Sequence, residues 1–338
     1  MAVMADRFYG SPSADMNVIG VTGTNGKTTT TYLVERILAD AGKPCGVIGT
    51  IEARYGGKTL PMSGTTPDAL ELQKLLADMA EAGMSACAME VSSHALEQGR
   101  VKGVRFRTAI FTNLTQDHLD YHQTMDSYRA AKMRLWQLVT RFAVINADSP
   151  EAAAFEAGAR AIGGATGTFP LDAVMASLSV VTAGWRAGAE GLKIVEIQPR
   201  PNGQTLTLRW RNAETDVDLP LIGEFQALNA VMAAALALAL GEGPKIVFAG
   251  MEKLEPVKGR IEHVGATKAG AHVFVDYAHT PDGLDVLLRA ARPHAPGRVI
   301  VVFGCGGDRD AGKRAKMGAI AKRQARSEER RVGKECRL

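Results

Sequence analysis

The stretch NVIGVTGTNGKTTT (residues 17–30) places an apolar run directly before two glycines, a lysine and a row of threonines. That order suits a phosphate. Gly23 and Gly26 let backbone N–H groups converge on an anion, and the helix that begins there adds positive potential. Lys27 can reach terminal phosphates, and Thr28 can hold Mg²⁺. The usual phosphate-loop pattern has a glycine five positions before the second loop glycine, where this chain has Val21. A capped turn into an ordinary helix is the plainer alternative, but Gly-Lys-Thr after an apolar strand favours nucleotide binding.

Two further stretches carry chemistry behind strand-like runs. MEVSSHALEQGR (89–100) puts Glu90 at the end of an apolar run, where open α/β sheets hold ligands and metals. TNLTQDHLDYH (112–122) follows another such run and offers Asp117, His118 and Asp120. YRAAKMRLWQLV (128–139) poses a different problem. With Met125, its residues Tyr128, Leu135, Trp136 and Val139 read as one helix face, and Lys132 falls on that face. The commoner fate of such a lysine is to snorkel to water. A desolvated lysine, however, loses its proton more easily, and a neutral amine can add CO₂ to give a carbamate, an oxygen ligand for Mg²⁺.

These residues need a sheet to hold them. NVIGVTG, CGVIGT, SACAMEV, RTAIFTN and FAVIN read as strands, separated by helical patterns at 28–40, 67–82 and about 126–140. The alternation predicts an α/β fold with a mostly parallel sheet. Thr66 is expected to cap the helix at 67, with Pro67 at its first position and Gly83 at its end. Alternating strands over 175–222, with a hairpin at Pro201-Asn202-Gly203, predict a small antiparallel β addition. An Ala/Leu helix (224–240) and a linker around EKLEPVKGR lead to a strand–helix–strand unit over 272–304, the start of a second α/β domain that reads as truncated.

Composition excludes several classes. The 338 residues suggest two or so domains, and 46% hydrophobic with 22% charged residues is ordinary for a globular chain. The net charge of +4 calls for neither nucleic acid nor a membrane surface. Cys45, Cys87, Cys305 and Cys336 show no paired spacing, which argues against a zinc site or disulfide framework and fits a reducing cytoplasm. VMAAALALAL (231–240) is too short to span a bilayer. Residues 326–338 lack apolar periodicity and read as a non-native tail.

GTNGKTTT, GTTPDALELQ, MEVSSHALEQGRV, TNLTQDHLDYH, AAKMRLW, GRIE, DYAHTPD and FGCGGDRDAGKR occur in the order found in the Mur ligases, which the chain resembles over about residues 6 to 325. Within that family it looks most like the members that extend a UDP-N-acetylmuramoyl dipeptide with meso-2,6-diaminopimelate. Gln226 stands where the family usually has Asn, and Ala315 where proline is common. The resemblance implies four parts: a linker from an absent N-terminal domain (1–16), a central P-loop ATP-binding domain (17–255), a truncated Rossmann-like C-terminal domain (256–325) and the tail.

The resemblance also implies roles. Gly23, Thr24, Asn25, Gly26, Lys27, Thr28 and Thr29 would bind ATP, with Asn229 at the adenine and Arg260 and Asp276 serving the nucleotide. Thr28 and Glu90 would hold one Mg²⁺, and His118 with a carbamylated Lys132 a second. Thr65, Thr66, Ser92, Gln98 and Arg100 would contact the UDP-muramoyl dipeptide, and Arg309 the incoming diamino acid. The implied catalytic set is Lys27, Glu90, His118, Lys132 and Arg260, in a cytoplasmic monomeric ligase. Lysine-adding and folylpolyglutamate-type ligases, and a P-loop nucleotide-binding module without ligase chemistry, are the competing readings.

Overall fold

In the computed structural model, which describes residues 1–162, 178–304 and 312–325, the short apolar runs become strands of one large sheet. The strands are β1 (Asn17–Thr22), β2 (Cys45–Ile48), β3 (Glu52–Tyr55), β4 (Lys58–Pro61), β5 (Ala86–Glu90), β6 (Phe106–Phe111), β7 (Val139–Asn146), β8 (Ser179–Gly184), β9 (Leu192–Arg200), β10 (Gly203–Trp210) and β11 (Ala213–Leu219). Their order is β11-β10-β9-β8-β7-β6-β1-β5-β2-β3-β4. Pairings from β2 through β5, β1, β6 and β7 to β8 are parallel, and β8 pairs in parallel with the start of β9. β5 is buried at every position and β1 at all but Asn17, as expected of strands covered on both faces.

Two compact units divide the chain. The first comprises Met1–Glu196, Thr207–Val217 and Leu228–Leu254; the second comprises Ile197–Leu206, Asp218–Ala227 and the chain from Glu255. In the first unit, Phe106, Phe111, Trp136 and Phe155 are fully buried, and Phe111 stacks on Phe155. The helices Lys27–Asp40, Ala69–Glu81 and Glu224–Ala239 fall close to their expected bounds. A helix at Ala2–Phe8 precedes the sheet.

Several local expectations are corrected. The helix expected at 67 begins at Ala69, and Asp68 caps it by accepting from the N–H groups of Leu70 and Glu71, both at 2.9 Å. The helix expected over 126–140 runs only Met125–Met133; Arg134–Leu138 is 3₁₀ and Val139 opens β7. Burial set the apolar spacing there, because Tyr128, Leu135, Trp136 and Val139 are all buried although they share no single helix face. The β3–β4 hairpin was not anticipated, yet Gly56-Gly57, both with positive φ, is a strong two-residue hairpin signal.

In the second unit, β12 (Glu262–Ala266) and β13 (His272–Val275) form an antiparallel pair. The helix Pro281–Ala291 is capped by Thr280. The expected strand at 298–304 forms no ladder. Val299, Val301 and Phe303 still alternate onto the Leu284, Leu288 and Met317 cluster, so the strand-like pattern records packing without a pairing partner.

Candidate active site

The C-terminal ends of the parallel strands gather the candidate residues of the first unit. After β1 the chain turns through Gly23 to Gly26 into the helix that starts at Lys27. Gly23 has φ +149°, and a Cβ there would lie 1.9 Å from Thr112 Oγ1. Gly26 has φ +84°, and its Cβ would lie 2.6 Å from Asn229 Oδ1. Side chains are excluded at both positions, which keeps the backbone free to approach a ligand. No side chain caps the following helix, and a helix N-terminus attracts an anion. Thr112 Oγ1 donates to Asn25 O (2.6 Å) and Asn113 Oδ1 accepts from Asn25 N–H (2.9 Å), fixing the loop from β6.

Lys27 folds back over this loop and donates to Gly23 O (3.0 Å) and Thr24 O (2.8 Å). Lys132 reaches the same carbonyl from the Met125–Met133 helix, donating to Gly23 O at 2.8 Å. Only 1% of Lys132 is exposed. Its ammonium sits 4.5 Å from the Tyr128 ring centroid, with no carboxylate at ion-pair distance among the described residues. Burial, reinforced by the positive charge of Lys27, holds the Lys132 amine well below the usual lysine range; Asp117 opposes this. Snorkelling to water is thereby ruled out. Burial also pushes the Tyr128 phenol up to about 12, so it stays neutral and shares a 3.2 Å hydrogen bond with the Thr24 hydroxyl.

Glu90 ends β5, beside Val21 of β1, and is 1% exposed. Its carboxylate accepts from Thr50 N–H (2.7 Å) and from the Thr50 hydroxyl (3.2 Å). No cationic side chain pairs with it among the described residues. A buried carboxylate without a counter-charge is costly. Next to it, Thr66 donates to Glu90 O (3.0 Å) and accepts from Ser92 N–H (3.1 Å), which is why Thr66 is not the helix cap. Arg100 donates to Thr66 O (3.0 Å) and to Gln98 Oε1 (2.8 Å), and Thr65 accepts from the Thr50 hydroxyl (3.1 Å). Thr65, Thr66, Ser92, Gln98 and Arg100 thus form one connected polar patch around Glu90.

His118 follows β6 in a left-handed conformation (φ +53°), half-exposed, with Asp117 Oδ2 at 3.4 Å. Its ring lies 5.0 Å from that of His94 and 6.1 Å from that of Tyr128, centroid to centroid. Burial lowers the His94 and His122 imidazoles, with the Glu97 carboxylate beside His122 opposing it there. Asn229 closes the group, its Oδ1 accepting from the Thr30 hydroxyl (3.3 Å) next to Gly26. Thr50 and Asn113 are not marked by the sequence, and Tyr128 is marked only as an apolar face residue; their contacts run between segments 40 to 104 residues apart, a separation that local spacing does not encode.

Arg260 and Asp276 belong to the second unit, each in contact with a chain neighbour of the other. Asp276 Oδ2 accepts from Ile261 N–H (2.8 Å), and the Arg260 guanidinium lies 5.2 Å from the Tyr277 ring centroid. Arg309 lies outside the described residues, as does the 326–338 tail.

Among the described residues no group of three or more His, Cys, Asp or Glu side chains is arranged to hold a metal ion. The donors present still suit a hard cation: a threonine hydroxyl at Thr28, the uncompensated Glu90 carboxylate, His118, and a lysine whose amine burial makes easier to deprotonate. No helix of the described residues is long and apolar enough to cross a membrane.

Residues 21–237 match the Mur ligase middle domain, and residues 259–332 match the Mur ligase glutamate ligase domain. The UDP-N-acetylmuramoyl-L-alanyl-D-glutamate–2,6-diaminopimelate ligase of Geobacter metallireducens is 44% identical over 96% of this chain and 61% of its own length. Its counterpart in Geobacillus kaustophilus is 41% identical over 96% of the chain and 64% of its own length. The chain therefore spans about three fifths of the length of these relatives. A solved structure of such a ligase superposes with a TM-score of 0.76 at 32% identity, covering 95% of this chain and 62% of that one. The folylpolyglutamate synthetase of Lactobacillus casei, at 18% identity and TM-score 0.67, covers 96% of this chain and 81% of that one and shares the fold alone. With the middle-domain match running through the phosphate loop, Glu90, His118 and Lys132, this chain belongs to the Mur ligase family.

Proposed function

We propose that this chain is the ATP-binding and part of the C-terminal portion of a cytoplasmic ligase. Its reaction would join meso-2,6-diaminopimelate to UDP-N-acetylmuramoyl-L-alanyl-D-glutamate in peptidoglycan precursor synthesis. The observation that carries this reading is the meeting, at one sheet edge, of a phosphate loop, an uncompensated buried Glu90 and a buried Lys132 held to the loop carbonyl of Gly23. A simple nucleotide-binding module has no use for that lysine.

The reaction has two steps. The terminal carboxylate of the dipeptide attacks the γ-phosphorus of ATP, giving an acyl phosphate and ADP. The amine of diaminopimelate then adds to the acyl carbon, loses a proton, and the tetrahedral intermediate expels phosphate to leave the amide. A carboxylate approaching a triphosphate meets strong repulsion, so the site must supply positive charge before the first step. Lys27 and the start of the Lys27–Asp40 helix would do so at the phosphates, and Gly23 and Gly26 let the backbone approach closely. Thr65, Thr66, Ser92, Gln98 and Arg100 would orient the dipeptide, with Arg100 already fixed by Gln98 and Thr66 O. Asn229, Arg260 and Asp276 would serve the nucleotide, and Arg309 the incoming amino acid.

Two Mg²⁺ ions would supply further charge neutralisation when bound, one held by Thr28 and Glu90, the other by His118 and a carbamate on Lys132. The carbamate forms when the neutral Lys132 amine adds CO₂ and releases a proton. Desolvation favours the neutral amine that this step requires.

The test is phosphate release from ATP by the polypeptide extended to the full length of its relatives. Release is expected to require the UDP-muramoyl dipeptide and diaminopimelate together. Equal turnover with ATP alone would return the chain to a nucleotide-binding module, and a preference for lysine would move it to a different acceptor class.

A further inference from the structure

At the opposite edge of the same sheet, the N-terminal ends of the parallel strands enclose a second polar pocket of about 110 Å³. Its lining includes Asn17 from the start of β1, Arg107 of β6, Arg141 of β7, Lys43 and Glu242. β1 separates it from the phosphate loop by roughly 16 Å, at about 3.3 Å per residue. It is therefore a distinct site.

Three cations converge there against one carboxylate. Glu242 lies 3.9 Å from Lys43. Neither Arg107 nor Arg141 has an acidic partner among the described residues, and Arg141 only lies near the Phe142 ring, 4.9 Å from its centroid. Several other arginines of the first unit are paired, Arg54 with Glu35 and Glu52, Arg129 with Asp126 and Glu151, Arg160 with Glu156. Three cations against one carboxylate leave a net positive charge, and an anion entering the pocket relieves the remaining repulsion. The guanidinium fork matches tetrahedral oxyanions in a bidentate manner.

We propose that this pocket binds a small dianionic oxyanion, either inorganic phosphate or the phosphoryl end of a phosphomonoester. The space is enough for one phosphoryl group. Asn17 supplies a neutral amide beside the three cations. The assignment stands on these residues alone and is independent of the ligase reading.

The experiment uses Lys27→Ala protein, so that the phosphate loop does not dominate, titrated with inorganic phosphate and separately with ribose 5-phosphate at constant ionic strength. The arginine side-chain N–H signals of Arg107 and Arg141 are followed by NMR. Saturable shifts in the millimolar range are expected. Combined Arg107→Gln and Arg141→Gln substitution weakens binding by about tenfold or more, and Glu242→Gln tightens it. Tighter binding of ribose 5-phosphate assigns the site to a phosphomonoester, whereas equal or weaker binding assigns it to free phosphate. A non-saturating response to both ligands, or unchanged affinity in the double variant with its circular dichroism intact, overturns the proposal.

Discussion

With the role proposed above, Lys132 places function against stability within one side chain. Burial lowers its amine in the folded state, so the unfolded chain binds its proton more readily than the folded chain does. Stability therefore rises with pH between the lowered folded value and the ordinary lysine range near 10.4, and below that window the penalty is present in full. Lys132→Met keeps the length of the side chain and removes the titrating group. In CO₂-free buffer at pH 7 to 8 its urea midpoint is expected to exceed that of the parent, with the difference shrinking as pH approaches 10. In the full-length ligase the same change should lower turnover by about 10² to 10⁴, and Lys132→Ala should recover part of it with acetate. A variant that loses stability at neutral pH and keeps its activity would make Lys132 a structural hydrogen-bond donor to Gly23 O.

Elements position these residues through caps and turns whose chemistry was partly legible. Gly83, with φ +75°, ends the Ala69–Glu81 helix as its sequence position indicates, but the start was assigned to the wrong residue. Thr66 and Asp68 are both good capping types; tertiary contact with Glu90 O and Ser92 N–H takes the threonine and leaves the aspartate to cap. Asp68→Ala should then cost about 1 kcal/mol in chemical denaturation, in the range of lost N-caps. Thr66→Ala should leave helix content unchanged and, in the full-length ligase, raise the KM for the dipeptide. Gly23→Ala tests the loop itself. A Cβ 1.9 Å from Thr112 Oγ1 forces the loop off β6, so ATP affinity should fall more than tenfold and stability by about 2 to 4 kcal/mol. The Arg134–Leu138 3₁₀ turn was not legible, because buried apolar residues at helical spacing fit a helix, a 3₁₀ turn and a strand start equally well.

At the scale of the whole molecule, alternation of apolar runs and helices was enough to give the α/β class, since covering a parallel sheet on both faces demands it. Strand order was not available from the same pattern: β1 lies between β5 and β6 by pairings nearly 70 and 90 residues apart in sequence. That order brings Lys27, Glu90, His118 and Lys132 to one edge, whereas the motifs name them one by one and only the family resemblance groups them. It would also make the proposed nucleotide binding depend on the folded first unit, because loop contacts from Thr112, Asn113 and Asn229 exist only once β6 and the Glu224–Ala239 helix are in place. A ligand bound to the folded state alone stabilises it by about 2.7 kcal/mol at a hundredfold excess over Kd. For a unit of this size that is a rise in melting temperature of about 5 to 10 °C with Mg-ATP analogue. Lys27→Ala should abolish the rise while Arg107→Gln with Arg141→Gln leaves it intact. If Lys27→Ala protein is stabilised as much as the parent, the triphosphate sits elsewhere and the phosphate-loop assignment falls.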